Sequence, residues 1–394
     1  MKNLYIIYCA VALSLLAGCK MASSPSSDGP SSDDPSSDGP SSDGPSSEPG
    51  ADILGNKTWT SIAMSDDGQS LAAVVGGDSD DGRHIYTSSN SGTTWTDRST
   101  AGSGISGNKN WGSIAMSDDG TKLAAVVNGG HIYTFSDSEA TWTDRSTPTG
   151  SGISGPKSWY SIAMSDDGEK LAAVVFPGNL YTSTDSGAIW TNRSTAGSGI
   201  AGDKYWHSIA MSDDGEKLAA VVNGGHLYTF TDSEATWTDR SGAGSDIEGN
   251  KDWTSIAMSD DGTKLAAVVG GVSGDGRHLY TATNSGADWT NRSTAAGSVS
   301  VIGGNKNWYS IAMSGNGKYL AAAAWNGHIY TSDNYGATWT DRSTAAGSVS
   351  VIGGTKYWRS IAMSDNGDEL AAVAYNGHLY TATNSGADWT DRSE

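Results

Sequence analysis

Six histidines recur in one local phrase, His84, His131, His226, His278, His328 and His378, each followed by Ile or Leu and then Tyr; Asn179 takes the equivalent place in a seventh. A cluster of imidazoles is the chemistry of a metal centre, because neutral imidazole binds Zn²⁺ at about 2 Å. Here each imidazole opens a separate copy of the same strand, so neighbouring rings lie too far apart to share an ion. Hydrogen-bonded structural histidines are expected instead, and no metal. Seven arginines, Arg98, Arg145, Arg193, Arg240, Arg292, Arg342 and Arg392, likewise hold one repeated position. Asp78, Asp80 and Asp81 crowd a single turn and are a candidate calcium ligand set, but they lack the spacing of a calcium loop. Acid–base catalysis needs unlike groups whose pKa values are pushed apart, and near-identical copies supply the same groups at every station. No His-Glu-x-x-His, P-loop or Gly-x-Ser-x-Gly pattern is present, so no catalytic residue and no cofactor are expected.

The copies diverge mostly on one face. Flanking a repeated tryptophan are Ser158/Tyr160, Tyr205/His207, Asn307/Tyr309 and Tyr357/Arg359, against the plainer Thr58/Thr60, Asn110/Gly112 and Asp252/Thr254. Phe176, Trp325 and Tyr375 vary in the same way at a turn further along each copy. Aromatic rings with polar edges on a rigid rim suit ligand binding, sugars included. The nine candidate binding residues are therefore Tyr160, Phe176, Tyr205, His207, Tyr309, Trp325, Tyr357, Arg359 and Tyr375. The competing reading is that these positions are exposed and tolerate drift.

The elements that must position them form a repeat. Trp-x-Ser-Ile-Ala-Met-Ser begins at Trp59, Trp111, Trp159, Trp206, Trp253, Trp308 and Trp358, and a second tryptophan closes each copy at Trp95, Trp142, Trp190, Trp237, Trp289, Trp339 and Trp389. The period suits a four-stranded blade. In the second copy, strand one is expected over Trp111–Ser117, strand two over Lys122–Val127, strand three over His131–Phe135 and strand four over Thr141–Arg145. Asp118-Asp119-Gly120 and Asn128-Gly129-Gly130 read as the turns between them. Small residues on strand one, such as Ser113 and Ala115, suit a crowded axis. No helical period appears in the body. Isolated blades would leave their faces wet, so the copies must stack and close into a ring. The fold class expected is all-β, seven blades of four antiparallel strands, with each blade coinciding with one copy. The Asp-Asp-Gly turns then share one acidic, constant face, and the varied positions share the other.

Ser88-Ser89-Asn90-Ser91-Gly92-Thr93-Thr94-Trp95 and Ser183-Thr184-Asp185-Ser186-Gly187-Ala188-Ile189-Trp190 resemble the Asp-box, or BNR repeat, Ser-x-Asp-x-Gly-x-Thr-Trp. Related forms span Ser332 to Trp339, Ala282 to Trp289 and Ala382 to Trp389. Copies two and four depart from it, with Glu139 and Glu234 in place of the glycine and Phe135 and Phe230 in place of the first serine, so distorted turns are expected there. The resemblance implies a β-propeller of the superfamily that includes sialidases, sortilin-type ectodomains and photosystem II assembly factors. It also implies structural roles for the motif, the Asp or Asn bonding its own turn and the Trp packing between blades. Sialidases of this fold carry an Arg-Ile-Pro motif and three convergent arginines. The motif is absent here, and the repeated rim arginines do not converge.

Before the repeats lies a different kind of chain. Residues 1–18 read as a signal peptide, with Lys2 ahead of an apolar run from Tyr5 to Leu16. Leu16-Ala17-Gly18-Cys19 resembles a bacterial lipobox, which implies a lipid-modified Cys19 and stable membrane anchoring. Residues 19–50 are then a lipidated cysteine and a Ser/Pro/Asp-rich tether expected to be disordered, and 51–394 the propeller. Both cysteines, Cys9 and Cys19, precede the repeats, so the body has neither a disulfide nor a thiolate site. The net charge of -20 argues against nucleic acid as a partner. The function expected is a non-catalytic binding or adhesion lipoprotein, a monomer at the outer membrane or cell surface, with a glycan or protein ligand. A sialidase-like glycoside hydrolase and a periplasmic assembly or scaffold factor are the alternatives.

Overall fold

The computed structural model describes residues 53–77, 84–100, 102–105, 108–147, 150–233, 236–271, 277–294, 299–304, 306–344 and 349–394. The signal sequence, Cys19, the tether, Glu234 and the turn bearing Asp78, Asp80 and Asp81 lie outside the described residues. Every described strand belongs to one compact unit, Ser47–Glu394.

Each sequence copy yields four strands that pair antiparallel in chain order. In the second copy these are Trp111–Met116, Lys122–Gly130, Ile132–Ser136 and Trp142–Asp144. The Leu-Ala-Ala-Val-Val segment of strand two is buried throughout, as at Leu71–Val75, because its two faces meet the sheets of two neighbouring copies. The first tryptophan of every copy is fully buried. It meets the strand-three tyrosine at a steep angle, as for Trp59 and Tyr86 at 5.6 Å and 64°, the geometry that aligns a positive ring edge with a negative face.

Two sets of hydrogen bonds run from copy to copy and return to their start. On strand one, the serine hydroxyl of each copy accepts the isoleucine N–H of the next: Ser61 from Ile114, Ser113 from Ile162, Ser161 from Ile209, Ser208 from Ile256, Ser255 from Ile311, Ser310 from Ile361, and Ser360 from Ile62. Small side chains near the axis thus do more than fit; they tie the copies together. Just past strand one a second circuit passes entirely through backbone, from Asp66 N–H to Asp118 O and onward through Asp166, Asp213, Asp260, Gly315 and Asp365 back to Asp66. The ring is closed.

Several expectations need adjusting. Strand two does not stop at Val127: it runs on to Gly130 and pairs with strand one of the next copy, Asn128 opposite Ser158. The Asn-Gly-Gly segment therefore continues a sheet across two copies before it turns. Helical turns also appear, at Val299–Ile302 and Val349–Ile352. The loops there are longer than the one joining Arg98 to Ile105, and winding up the excess keeps Ile302 and Ile352 buried where Ile105 sits in the second copy. The departing turn of copy two is distorted as expected. In a regular copy Trp95 Nε1 donates to Gly92 O and Thr94 N–H to Asn90 Oδ1; in copy two Ala140 takes a left-handed φ of 55° and Trp142 Nε1 is left without a partner.

Candidate functional site at the varied mouth of the ring

Strand one runs the length of the axis, so its two ends mark two mouths. The residue after the first tryptophan lies at one mouth, and the first Asp of the Asp-Asp-Gly turn lies at the other. At the first mouth the seven positions are Thr60, Gly112, Tyr160, His207, Thr254, Tyr309 and Arg359.

All nine candidate residues come together there. Tyr205 packs on Phe176 at 5.3 Å, Phe176 on Tyr160 at 5.2 Å, and Tyr160 on His207 at 4.5 Å between ring centres. His207 reaches Tyr309 across the mouth at 6.2 Å. From Tyr309 the contacts continue to Trp325 at 5.3 Å, and from Trp325 to Tyr357 at 5.2 Å and Tyr375 at 5.6 Å. The Arg359 guanidinium caps the Tyr309 ring at 4.6 Å. Copies that are far apart in sequence thereby contribute to one unbroken arc. Tyr205 and Tyr357, 55% and 49% exposed, form its outer ends, and the other seven are half-buried.

His207 is the arc's polar hinge. Its Nδ1 lies 2.7 Å from the Thr254 carbonyl and its Nε2 lies 3.0 Å from the Tyr160 hydroxyl. A carbonyl only accepts, so Nδ1 carries the proton and Nε2 accepts from Tyr160. Burial pushes this imidazole down to about 4, Arg359 adds to the effect, and the bond to Thr254 opposes it only in part. His207 is therefore neutral at pH 7 and locked in one tautomer. None of the nine residues is a carboxylate, although Asp252 holds the station equivalent to Tyr205 and Tyr357 at the same mouth.

Two grooves open beside the arc. One, of about 480 Å³, is bounded by Arg277, Lys306, Ala324, Trp325, His328 and Tyr357; the other, of about 250 Å³, by Lys356, Tyr357, Ala374, Tyr375 and His378. Tyr357 is the wall between them. Both involve a position where copies one to five carry valine (Val75, Val127, Val175, Val222, Val269) and copies six and seven carry Ala324 and Ala374. The valine-to-alanine exchange removes two methyl groups beneath the same strand end that gains Trp325 or Tyr375. Sequence reading missed this exchange, although a run of four alanines at Ala321–Ala324 was its signal.

The smaller polar residues at this mouth also have work. Thr60 Oγ1 donates to Trp111 O at 2.9 Å and Thr254 Oγ1 to Trp308 O at 3.0 Å. Asn110 Oδ1 accepts Gly77 N–H and Asn307 Oδ1 accepts Gly271 N–H. These staples between copies explain why the varied mouth is not varied everywhere.

The opposite mouth gathers Asp66, Asp118, Asp166, Asp213, Asp260 and Asp365. Burial, with neighbouring carboxylates adding, raises Asp66, Asp118 and Asp260, and pushes Asp213 up to about 6. The seventh station is Gly315, where a Cβ would sit 1.7 Å from Asp365 Oδ1 and 1.9 Å from Asp260 Oδ2. The second Asp of the turn behaves oppositely at Asp119, Asp167, Asp214 and Asp261, each of which is lowered. Asp119 is held below the usual carboxylate range by the Thr121 N–H and, against a burial penalty, by the Ser117 hydroxyl. The sequence shows both aspartates as one turn motif; only the ring separates them. In five copies the histidine Nδ1 meets the strand-four aspartate, as for His131 and Asp144 at 2.6 Å. His278 departs: Asn291 replaces that aspartate, and among the described residues the buried Nδ1 has no partner.

No family model matches the sequence, and no curated protein matches it. Solved structures do. YCF48 bound to a D1 peptide superimposes with a TM-score of 0.58 at 15% identity, covering 84% of this chain and 95% of that one. The β-propeller domain of Cps50 (Swd1) from Myceliophteria thermophila gives 0.58 at 14% identity, covering 84% and 98%. This chain is a β-propeller. YCF48 from Cyanidioschyzon merolae, with a TM-score of 0.56 at 14% identity over 84% of this chain and 96% of that one, has the same fold. At such identities the likeness extends to the propeller and no further.

Proposed function

We propose that this propeller, seven-bladed with one sequence copy per blade, is a non-catalytic binding protein that takes its ligand on the aromatic arc. In this reading Cys19 carries a lipid anchor, residues 19–50 act as a tether, and the body is displayed as a monomer at the outer membrane or cell surface. One observation carries the reading. The nine residues by which the copies differ at this mouth, drawn from the third, fourth, sixth and seventh copies, are brought into one contiguous chain of ring and cation contacts, which supports a shared surface over independent drift at each position. Two grooves widened by alanine flank that arc, with lysines, an arginine and tyrosine edges for polar contacts. Glycosidases place a pair of carboxylates around the scissile bond, and an arc without any supports binding over hydrolysis.

A glycan array and a pull-down from envelope extract test this, using the full chain and a variant carrying Tyr309→Thr and Trp325→Asn. Retention by the parent and its loss in the variant is the expected result. No ligand retained at millimolar concentration, or equal retention by both, contradicts it. YCF48 has been seen with a peptide on this same fold, which favours a protein ligand as the second reading. A protein partner with no glycan retained would identify an assembly or scaffold factor, and turnover of a fluorogenic glycoside would identify a hydrolase.

A further inference from the structure

Among the described residues, one cluster of three candidate metal donors is found, and it lies in the last copy. His378, Asp391 and Glu394 present donor atoms that all lie within 4.8 Å of one another. The His378 Nδ1 to Asp391 Oδ2 pair, at 2.6 Å, is the one found also at His84–Asp97, His131–Asp144, His226–Asp239 and His328–Asp341. What is new is the third donor. The residue three beyond the strand-four Asp or Asn is Thr100, Thr147, Thr195, Gly242, Thr294 or Thr344 elsewhere, and Glu394 here. We propose that His378, Asp391 and Glu394 bind a single divalent ion of the zinc class, at a site confined to this copy.

The chemistry fits. One imidazole nitrogen and two carboxylate oxygens are Zn²⁺ ligands at about 2.0–2.2 Å, and three protein donors leave a position for water. A purely oxygen-seeking ion such as Mg²⁺ would be served less well. Two donors on one ion stand at most about 4.2 Å apart, so closing from 4.8 Å asks for a small rotation of the exposed Glu394. The ion takes the place of the proton shared in the 2.6 Å pair; the pair opens to the roughly 3.3 Å that separates two donors on a tetrahedral ion, and that proton leaves to solvent. The frame is already fixed: Ser393 N–H donates to Asp391 Oδ1, Leu379 N–H donates to the Ser393 hydroxyl, and Gly55 N–H donates to Ser393 O. Lys356 lies on the face of Tyr380 at 5.5 Å. Among the described residues no ion pair joins it to Glu394. His378 also borders the 250 Å³ groove, which sets the ion's open position near the proposed ligand site without depending on it.

Titration of the full chain with ZnCl₂ by calorimetry tests the site. One equivalent should bind to the parent and be weakened at least tenfold by Glu394→Gln and by His378→Asn. The latter is safe for folding, because Asn179 occupies the equivalent place in the third copy. His328→Asn should change nothing. Thr344→Glu supplies the missing donor beside His328 and Asp341 and should raise the stoichiometry by one. No uptake by the parent, a titration unaltered by Glu394→Gln, or an unaltered stoichiometry in Thr344→Glu would overturn the proposal. None of these outcomes bears on whether the aromatic arc binds a ligand.

Discussion

The two mouths of the ring are made from the same strand repeated, yet they follow opposite rules. At the acidic mouth nearly every copy offers the same aspartate, and the backbone joins them into a circuit. Uniformity has an electrostatic cost there, since like carboxylates gathered in a half-buried ring raise one another's pKa. At the other mouth uniformity is abandoned. Tyr160, His207, Tyr309 and Arg359 replace smaller residues, and each finds its partner in a different copy. A closed ring needs only a few bonds per copy to hold together, and once Ser–Ile and backbone bonds supply them, one end is released to diversify. Gly315 marks the limit at the constant end: even the shared aspartate is given up at one station, so that Asp260 and Asp365 can approach.

The comparison breaks most visibly if the shared framework is dispensable. Trp253 is fully buried, and Trp253→Ala should cost about 3–5 kcal/mol of stability, measured by denaturant unfolding. Tyr205→Ala, at the exposed end of the arc, should stay within about 0.5 kcal/mol. A similar loss at both would erase the distinction between framework and rim. Gly315→Asp is expected to destabilise strongly at neutral pH, because its Cβ alone would collide with two carboxylates; a parent-like melting temperature would show that the acidic mouth has slack.

The seven copies, their four strands, the buried Leu-Ala-Ala-Val-Val strand and the segregation of varied residues to one end were all legible in the sequence, because each depends on local pattern and on topology. Contacts between distant copies were not. Nothing in the sequence says that Tyr160 meets His207 or that Arg359 lies on Tyr309, since those pairs follow from ring closure. The acidic circuit was hidden for a related reason: Asp118 and Asp119 are neighbours in one turn motif, but the strand's end sends one toward the axis and the other back to its own turn. His278 shows how a repeat misleads, since its partner position had changed to Asn291 without disturbing the phrase around the histidine.

Smaller effects sharpen the contrast between the mouths. Ala324→Val restores the residue type found in five copies and partly fills the larger groove; ligand affinity should fall about tenfold, or about 1.4 kcal/mol, with folding unharmed. An unchanged affinity would place the ligand away from that groove. The aspartate ring should make stability depend on pH. Folded-state pKa values raised above the usual carboxylate value at Asp66, Asp118, Asp213 and Asp260 mean that protonation of these groups favours the fold, fully below about pH 4. That contribution is lost as pH rises through about 6 for Asp213, about 7 for Asp260 and about 9 for Asp118. The melting temperature should therefore be higher at pH 5 than at pH 9, and Asp118→Asn should reduce that difference. A melting temperature that climbs with pH in this range would contradict a protonated aspartate ring.

The most direct measurement compares ligand retention with thermal stability in one variant, Tyr309→Thr with Trp325→Asn. Both new residues already stand at equivalent stations, Thr60 and Thr254 for the first and Asn128 and Asn223 for the second. If the arc is a binding surface laid on an independent framework, the melting temperature stays unchanged and ligand capture is abolished. Undiminished capture, or a collapse of the fold, would show that the arc is scaffold after all.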